Sequence, residues 1–260
     1  MILALRIANQ QLLELRRQPA MIAAMAAVVS SIAGLVLFVA LTLTLVNSQP
    51  ASRELFQANL ATAGFGLEDP IPFVIETLLS SFNFLLFTQL LGMTAVLAGQ
   101  SIVHERQSGT LAFLMLAPVR RGDVLLGKAL GAAILPIILY GLIGGSSSLV
   151  LASLELTEAY AWRLPPSPGW LIAFWLGGPA WCLALAAAGT LLSIRSRDVR
   201  TAQQGVWLLV FLASTTVGAG LGGGLQEDAG FQLVLAGAGV ICTLGLLALG
   251  TLLLRRDIHL

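Results

Sequence analysis

One segment of the sequence has the spacing of a loop that binds the phosphates of ATP. Residues Gly122 to Lys128 match G-x-x-x-x-G-K. In such a loop the next residue is Ser or Thr, because its hydroxyl holds magnesium, but here it is Ala129. A phosphate loop also follows a strand and opens a soluble helix, whereas this segment runs into a long apolar stretch. We therefore predict that the chain does not hydrolyse ATP by itself.

A second candidate for catalysis is a serine inside an apolar stretch, as in an intramembrane protease. Ser146 and Ser147 follow Gly145 in such a stretch. A serine nucleophile needs a general base within hydrogen-bond reach, and the two histidines, His104 and His259, lie outside the apolar stretches. The stretches also contain no paired acids and no histidine-rich motif. The sequence therefore predicts no catalytic residue and no metal site.

The chain that carries these candidates is too apolar for a soluble protein. Hydrophobic residues make up 57% and charged residues 10% of its 260 residues, against about 25% charged residues in an average soluble domain. The formal net charge is +1, so no nucleic-acid partner is expected. Cys182 and Cys242 lie in apolar stretches, which fits neither a disulfide scaffold nor a cysteine-rich metal site. We predict a protein embedded in lipid.

Six apolar stretches are long enough to cross a membrane, since a bilayer needs about 20 apolar residues per helix. They are residues 21–46, about 77–103, 124–153, 170–194, 203–223 and 231–254. The first stretch is too long for the apolar core of a signal peptide, and no small-residue cleavage pattern ends it. The predicted fold class is an all-α, polytopic membrane protein with six transmembrane helices, and residues 1–260 form one transmembrane domain.

The basic residues predict the orientation of these helices. Six spans place both termini on one side, and 12 of the 14 basic residues fall on that side, with Arg53 and Arg163 as the exceptions. Because lysine and arginine are concentrated in cytoplasmic loops, both termini are predicted to be cytoplasmic. The expected location is the inner or plasma membrane of the cell.

Two segments outside the spans carry further predictions. Residues 1–18 place apolar side chains at helical spacing between charged ones, which predicts an amphipathic interfacial helix in contact with the lipid of the inner leaflet. A frayed, positively charged leader is the alternative. Residues 47–76 form the first outer loop, which contains either a short helix that caps the outer mouth or a solvated connector.

Small and polar residues inside the spans suggest how the helices pack. Glycines at close spacing allow two helix backbones to approach each other, within one chain or between two copies. These glycines are Gly127, Gly131, Gly141 and Gly144. The chief polar residues of the second span are Asn83, Gln89 and Gln100. Hydrogen bonds between helices and contact with a transported substrate along a translocation path explain these three side chains equally well.

The segment between the second and third spans is the most informative part of the chain. Glu105 and Arg106 open it, Gly109 permits a bend, and Pro118 ends a run of apolar residues at the i, i+3, i+4 spacing of one helix face. We predict a short helix over residues 104–119 on the inner surface, whose apolar stripe contacts headgroups or a partner protein. That stripe is Leu111, Leu114 and Met115. The acid Glu105 is expected to pair with a neighbouring base, and the candidates are Arg106, Arg120, Arg121 or a residue of a partner.

The same segment resembles the permease subunits of ABC-2 type transporters. The shared pattern is Glu-Arg-x-x-Gly-Thr-Leu, then Leu-x-x-x-Pro-Val, then Leu-Leu-Gly-Lys, all within residues 101–128. The rest of the chain agrees only in outline. The resemblance implies a single permease domain in which residues 104–119 are a coupling helix that docks on an ATPase. The coupling residues that it implies are His104, Glu105, Arg106, Gly109, Thr110, Leu111, Leu114, Met115 and Pro118.

The resemblance also implies an assembly and a function. A second permease copy, identical or different, and ATP-binding-cassette ATPase subunits are the expected partners, and ATP and Mg²⁺ are bound by the ATPase rather than by this chain. The chain would then form the translocation path of an exporter. Neutral span interiors favour an amphiphilic or apolar substrate, because transport coupled to ions generally uses ionisable groups at membrane depth. The alternative is a secondary transporter or channel that works without an ATPase.

Overall fold

A computed structural model of the chain describes residues 6–9, 13, 34, 54–55, 58–59, 62, 70–109, 121–153, 168–196, 198–222 and 228–256. All regular structure in these ranges is helical, as the sequence predicts. The predicted first span, apart from Gly34, and most of the predicted interfacial helix lie outside the described residues. Within that interfacial segment, residues 6–9 are helical, and Ile7 and Ala8 are buried while Arg6 is exposed.

Seven α-helices form the described part of the chain. They are α1 (Pro70–Gln100), α2 (Val103–Gln107), α3 (Arg121–Ser153), α4 (Pro168–Ile172), α5 (Gly178–Arg195), α6 (Val199–Gly222) and α7 (Ala229–Arg256). A π-helical turn, Ala173–Gly177, joins α4 to α5 without a break. Helix α1 begins seven residues earlier than the predicted second span. The outer loop is shorter as a result, because Pro70 and Pro72 are tolerated in the first turn of a helix, where a backbone N–H has no partner inside the helix.

Four described stretches are long and apolar enough to cross a membrane. They are Phe84–Gln107, Gly122–Ser146, Ala173–Arg195 and Ala229–Leu252. These stretches coincide with the second, third, fourth and sixth predicted spans, so the chain is a multi-pass membrane protein. Helix α6 covers the predicted fifth span, whose crossing of the membrane stays a prediction.

Helix α5 lies at the centre of the described bundle and packs against α1, α3, α6 and α7. Its buried residues are mostly small, among them Ala184, Ala186 and Ala187, which lets neighbouring backbones come close. Gly189 shows how close they are, because a Cβ atom there would lie 2.5 Å from the Cβ of Ala98 on α1. Helix α5 therefore needs small residues, because larger side chains would not fit between it and the four helices around it.

Helices α6 and α7 present long apolar side chains at the outside of the described bundle. Leu208 and Phe211 on α6, and Val234, Ile241 and Leu244 on α7, are each more than half exposed. Apolar exposure of this extent suits helices that face lipid, since lipid tails are as apolar as a leucine side chain.

Candidate functional site at the polar junction

The chain turns sharply between α1 and α2, and the turn opens the segment that the sequence singles out. The N–H of Ser101 donates to the carbonyl of Ala98 at 3.2 Å, and the Ser101 hydroxyl donates to the same carbonyl at 2.8 Å. We call residues Ser101–Gly109 the junction segment. Together with Lys128, Ser193 and the carbonyls of Ile194 and Ser196, the junction segment forms the polar junction.

Ser193 on α5 holds the start of helix α2. Its hydroxyl oxygen accepts hydrogen bonds from the backbone N–H of Ile102 at 3.1 Å and from that of Val103 at 3.0 Å. N–H groups at the start of a helix have no partner within it, so they need one from elsewhere. Ser193 is fully buried, and it therefore supplies this partner from a helix 90 residues further along the chain.

Arg106 joins the junction segment to the end of the same helix. Its guanidinium donates to the backbone carbonyl of Ile194 and, at 3.0 Å, to that of Ser196. The last carbonyls of a helix lack partners within it and carry partial negative charge, so a cation there is stabilising. Arg106 thus caps the carboxyl end of α5 from outside that helix.

The third connection is an ion pair between Lys128 on α3 and Glu105. The Lys128 ammonium donates to Glu105 Oε1, and the two side chains are only 4% and 15% exposed. Removal of one partner from a buried pair leaves an uncompensated charge and is strongly destabilising. The sequence analysis considered other partners for Glu105 and missed Lys128. A lysine near the start of an apolar span was the available signal, because ionisable residues at such positions usually have a partner.

Apolar side chains pack beneath these polar contacts. Ile102 and Leu125 are buried together, and Ile194 and Leu247 pack against them. These four residues belong to the turn before α2, to α3, to α5 and to α7. Four parts of the bundle therefore meet at the polar junction, and both polar and apolar contacts hold them there.

A comparison with known protein families identifies the chain. The model of the ABC-2 family transporter protein matches residues 5–234, which is most of the sequence. The chain belongs to the ABC-2 transporter family. Members are membrane permeases of ABC transporters, which are generally non-catalytic and work with an ABC ATPase. No curated protein matches the sequence.

The structure describes the amino-terminal part of the predicted coupling helix of this ABC-2 permease. Helix α2 ends at Gln107, and the N–H of Gly109 then donates to the carbonyl of Arg106 at 3.2 Å. Gly109 has a φ of +74°, a left-handed conformation that favours glycine. The remaining predicted coupling residues lie outside the described residues, namely Thr110, Leu111, Leu114, Met115 and Pro118. His104 lies in α2, and its side chain is also outside them.

The four glycines named for helix packing all lie on α3 of the ABC-2 permease, and their surroundings differ. Gly127 and Gly131 are buried. A Cβ atom at Gly144 would overlap the ring of Phe174, whereas one at Gly141 would make an ordinary contact of 3.7 Å with Trp175. The close approach at Gly144 is therefore a contact within one chain, between α3 and the π-helical turn.

The polar residues named for a translocation path lie on α1. Gln89 and Gln100 are half-buried. They are eleven positions apart, which places them on the same helix face about 16 Å from each other. Asn83 lies in α1, but its side chain is outside the described residues. The sequence analysis missed another polar contact at this depth, in which Thr94 Oγ1 lies 2.9 Å from Cys182 Sγ.

The short connection from α5 to α6 contains a titratable residue that caps α6. The backbone N–H of Thr201 donates to Asp198 Oδ1 at 2.6 Å. This hydrogen bond, with a further one from the Thr201 side chain and the positive charge of Arg200, lowers the pKa of Asp198 below its ordinary value. The carboxylate is therefore stabilised in its charged form at the start of a helix.

Proposed function

We propose that the chain is the permease subunit that forms the translocation path of an ABC exporter for an amphiphilic or apolar substrate. ATP hydrolysis in separate nucleotide-binding subunits drives transport, and those subunits bind ATP and Mg²⁺. A second permease copy, identical or different, completes the path. The polar junction faces the cytoplasm, as do both termini, and residues 104–119 are the coupling helix that docks on the ATPase.

The observation that carries this proposal is the attachment of the junction segment to the membrane helices. Glu105 binds Lys128 on α3, and Arg106 binds the end of α5. A segment that docks on an ATPase can drive transport only if its displacement reaches the spans. The hydrogen bonds and the ion pair of the polar junction supply that mechanical connection.

The placement of charge along the described spans supports the proposed substrate class. Their charged residues lie toward the ends of the stretches, as Glu105, Arg106, Asp123, Lys128 and Arg195 do. Half-buried amides, such as those of Gln89 and Gln100, are the polar groups further along α1. A path of this character suits a molecule with apolar surface and a few hydrogen-bonding groups, and we propose Asn83, Gln89 and Gln100 as residues that contact it.

A binding experiment tests the coupling role. The permease is co-expressed with candidate ABC ATPases from its own genome, purified into lipid nanodiscs, and compared with the Leu111→Asp variant. We expect the wild type to retain the ATPase and to change its rate of ATP hydrolysis, because the apolar stripe of the coupling helix docks on it. Leu111→Asp should release the ATPase, since a carboxylate in an apolar interface is left without a partner.

Gln107→Asp is the matched control, because Gln107 is an exposed residue of the same proposed coupling helix outside its apolar stripe, and the variant adds the same charge. It should retain the ATPase. Equal retention of the ATPase by Leu111→Asp and the wild type would contradict the docking role. A wild-type permease that binds no ATPase, but moves solutes down a gradient, would favour the secondary transporter or channel.

A further inference from the structure

We propose that Arg106 is a positioning residue that anchors the junction segment on helix α5, so that the segment, α3 and α5 move as one rigid body. This inference rests on the proposed function and deepens it by naming the helices that receive the motion. The chain connects the junction segment directly to α1 and α3 only. Helix α5 receives motion through side chains.

The attachment to α5 consists of two contacts that complement each other. In both, the junction segment donates and α5 accepts. Arg106 satisfies carbonyls at the end of α5, and Ser193 accepts from the N–H groups at the start of α2. Arg106 of α2 thus supplies donors to the carboxyl end of α5, and Ser193 of α5 supplies an acceptor to the start of α2. The planar guanidinium fork reaches two carbonyls at once, which also fixes its direction.

The attachment to α3 is the ion pair of Glu105 with Lys128. Both side chains are largely withdrawn from water, so separating them within the transport cycle would leave buried charge without compensation. The apolar layer of Ile102, Leu125 and Ile194 joins the same three parts of the structure beneath the pair. Polar and apolar contacts therefore both resist relative movement at this level.

The position of α5 gives this attachment its consequence. Helix α5 packs against α1, α3, α6 and α7, so a displacement of its end reaches every described span. Through the chain itself, a push on the junction segment passes directly only to α1 and α3. Arg106 and Ser193 make the central helix part of the moving body.

A reversible cross-link tests whether the segment and α5 stay together during ATP hydrolysis. In a background lacking Cys182 and Cys242, cysteines are placed at Val103 and Ser193, where the Val103 N–H lies 3.0 Å from the Ser193 hydroxyl. The rate of ATP hydrolysis by the permease–ATPase complex in nanodiscs is then measured before oxidation, after oxidation and after reduction. We expect the disulfide to form and the rate to stay the same throughout.

Two results would overturn the rigid-body proposal. If the disulfide blocks hydrolysis and reduction restores it, the segment must leave α5 during the cycle. If the disulfide forms in the resting complex but no longer forms while ATP is being hydrolysed, the segment has likewise separated from α5. Neither result bears on the proposed function, because the wild-type permease would still bind the ATPase and change its rate of hydrolysis.

A second experiment tests the positioning role of Arg106. We expect Arg106→Gln to lower the effect of the permease on ATP hydrolysis by about fivefold or more, a coupling loss of ordinary size, while the ATPase stays bound. Arg106→Lys should restore part of the effect, because it keeps a cation at the end of α5. Arg200→Gln is the control, since Arg200 is exposed at the start of α6.

The unfolding midpoint, measured in parallel, separates positioning from stability. The positioning role predicts a loss of coupling in Arg106→Gln at temperatures where all four proteins, wild type included, remain folded. It is wrong if Arg106→Gln and Arg200→Gln couple equally well, or if coupling falls only where the protein unfolds.

Discussion

Two regions of helix α3 are fixed by different kinds of contact. Near one end, Lys128 binds Glu105 through charge, and the neighbouring Arg106 binds the end of α5. Further along, Gly144 packs against Phe174, which stacks on Tyr140 with ring centroids 4.4 Å apart. The first region depends on polar partners supplied by other helices, and the second on the shape of closely packed surfaces.

Under the proposed function, this difference would let one helix serve two tasks. Charge-assisted contacts are strong and directional, which suits a junction that passes a displacement from one element to the next. Close packing around a glycine excludes any larger residue and fixes how near two helices come. Substitutions should therefore act differently at the two regions, through lost partners at one and through overlap at the other.

The largest effect is expected when the ion pair is broken from one side. Glu105→Ala leaves the Lys128 ammonium, only 4% exposed, without its carboxylate, and loss of one partner from a buried pair costs about 3–5 kcal/mol. Thermal unfolding in nanodiscs measures this loss. The double variant Glu105→Ala with Lys128→Met should recover most of the stability, because no charge is left buried. A double variant as unstable as the single one would show that the charge is not the cause.

A smaller effect is expected at the packed region. Gly144→Ala places a methyl group into the ring of Phe174, and overpacking of this kind costs about 1–3 kcal/mol. Gly141→Ala is the matched control on the same helix, since its methyl group meets Trp175 at an ordinary distance. Unfolding midpoints of the two variants should differ clearly, with Gly144→Ala the lower. Equal midpoints would mean that the Phe174 ring moves aside without cost.

Loss of a hydrogen bond between neutral groups should matter less. Thr94→Val removes a hydroxyl that donates to the carbonyl of Leu90 and lies against Cys182. The expected loss is about 0.5–1.5 kcal/mol, the usual net value of such a bond. Thr251→Val, which removes a bond from an exposed hydroxyl to the carbonyl of Ala248, should change the unfolding midpoint less. If Thr251→Val lowered the midpoint more than Thr94→Val, the buried Thr94 hydrogen bond would not be the more stabilising of the two.

The smallest effect is a pH dependence at the start of α6. Because hydrogen bonds from Thr201 lower the pKa of folded Asp198, the cap is fully formed above the ordinary carboxyl pKa of about 3.8 and is lost as the pH falls through the lowered value. Hydrogen exchange of the Thr201 amide should therefore be slowed relative to the unfolded chain at pH 6 and lose that protection in acid. Asp198→Asn keeps an acceptor but does not titrate, so its protection should not show this change. Equal pH profiles would contradict the cap.

The sequence predicted the helical class and four spans well, because an apolar stretch of about 20 residues has few alternatives in a membrane. It was less successful at the start of α1, where residues 70–76 were assigned to the outer loop although a first helical turn tolerates Pro70 and Pro72. Glu105 and Arg106 were selected by their resemblance to a family pattern. The position of Lys128 near the start of an apolar span was a signal for the partner of Glu105. The contact with the end of α5 was not predictable, because Arg106 and Ser196 lie 90 residues apart and no local spacing records that contact.

The central claim is that ATP hydrolysed by another subunit moves a substrate through this permease. The most direct measurement compares the amphiphilic compounds retained by cells, using untargeted mass spectrometry, in three strains. One lacks the permease, one has it restored, and one has it restored beside an ABC ATPase partner that binds but cannot hydrolyse ATP. The account predicts that compounds retained without the permease are released again only when the ATPase is active. Release that is equally complete with the inactive ATPase would contradict the account.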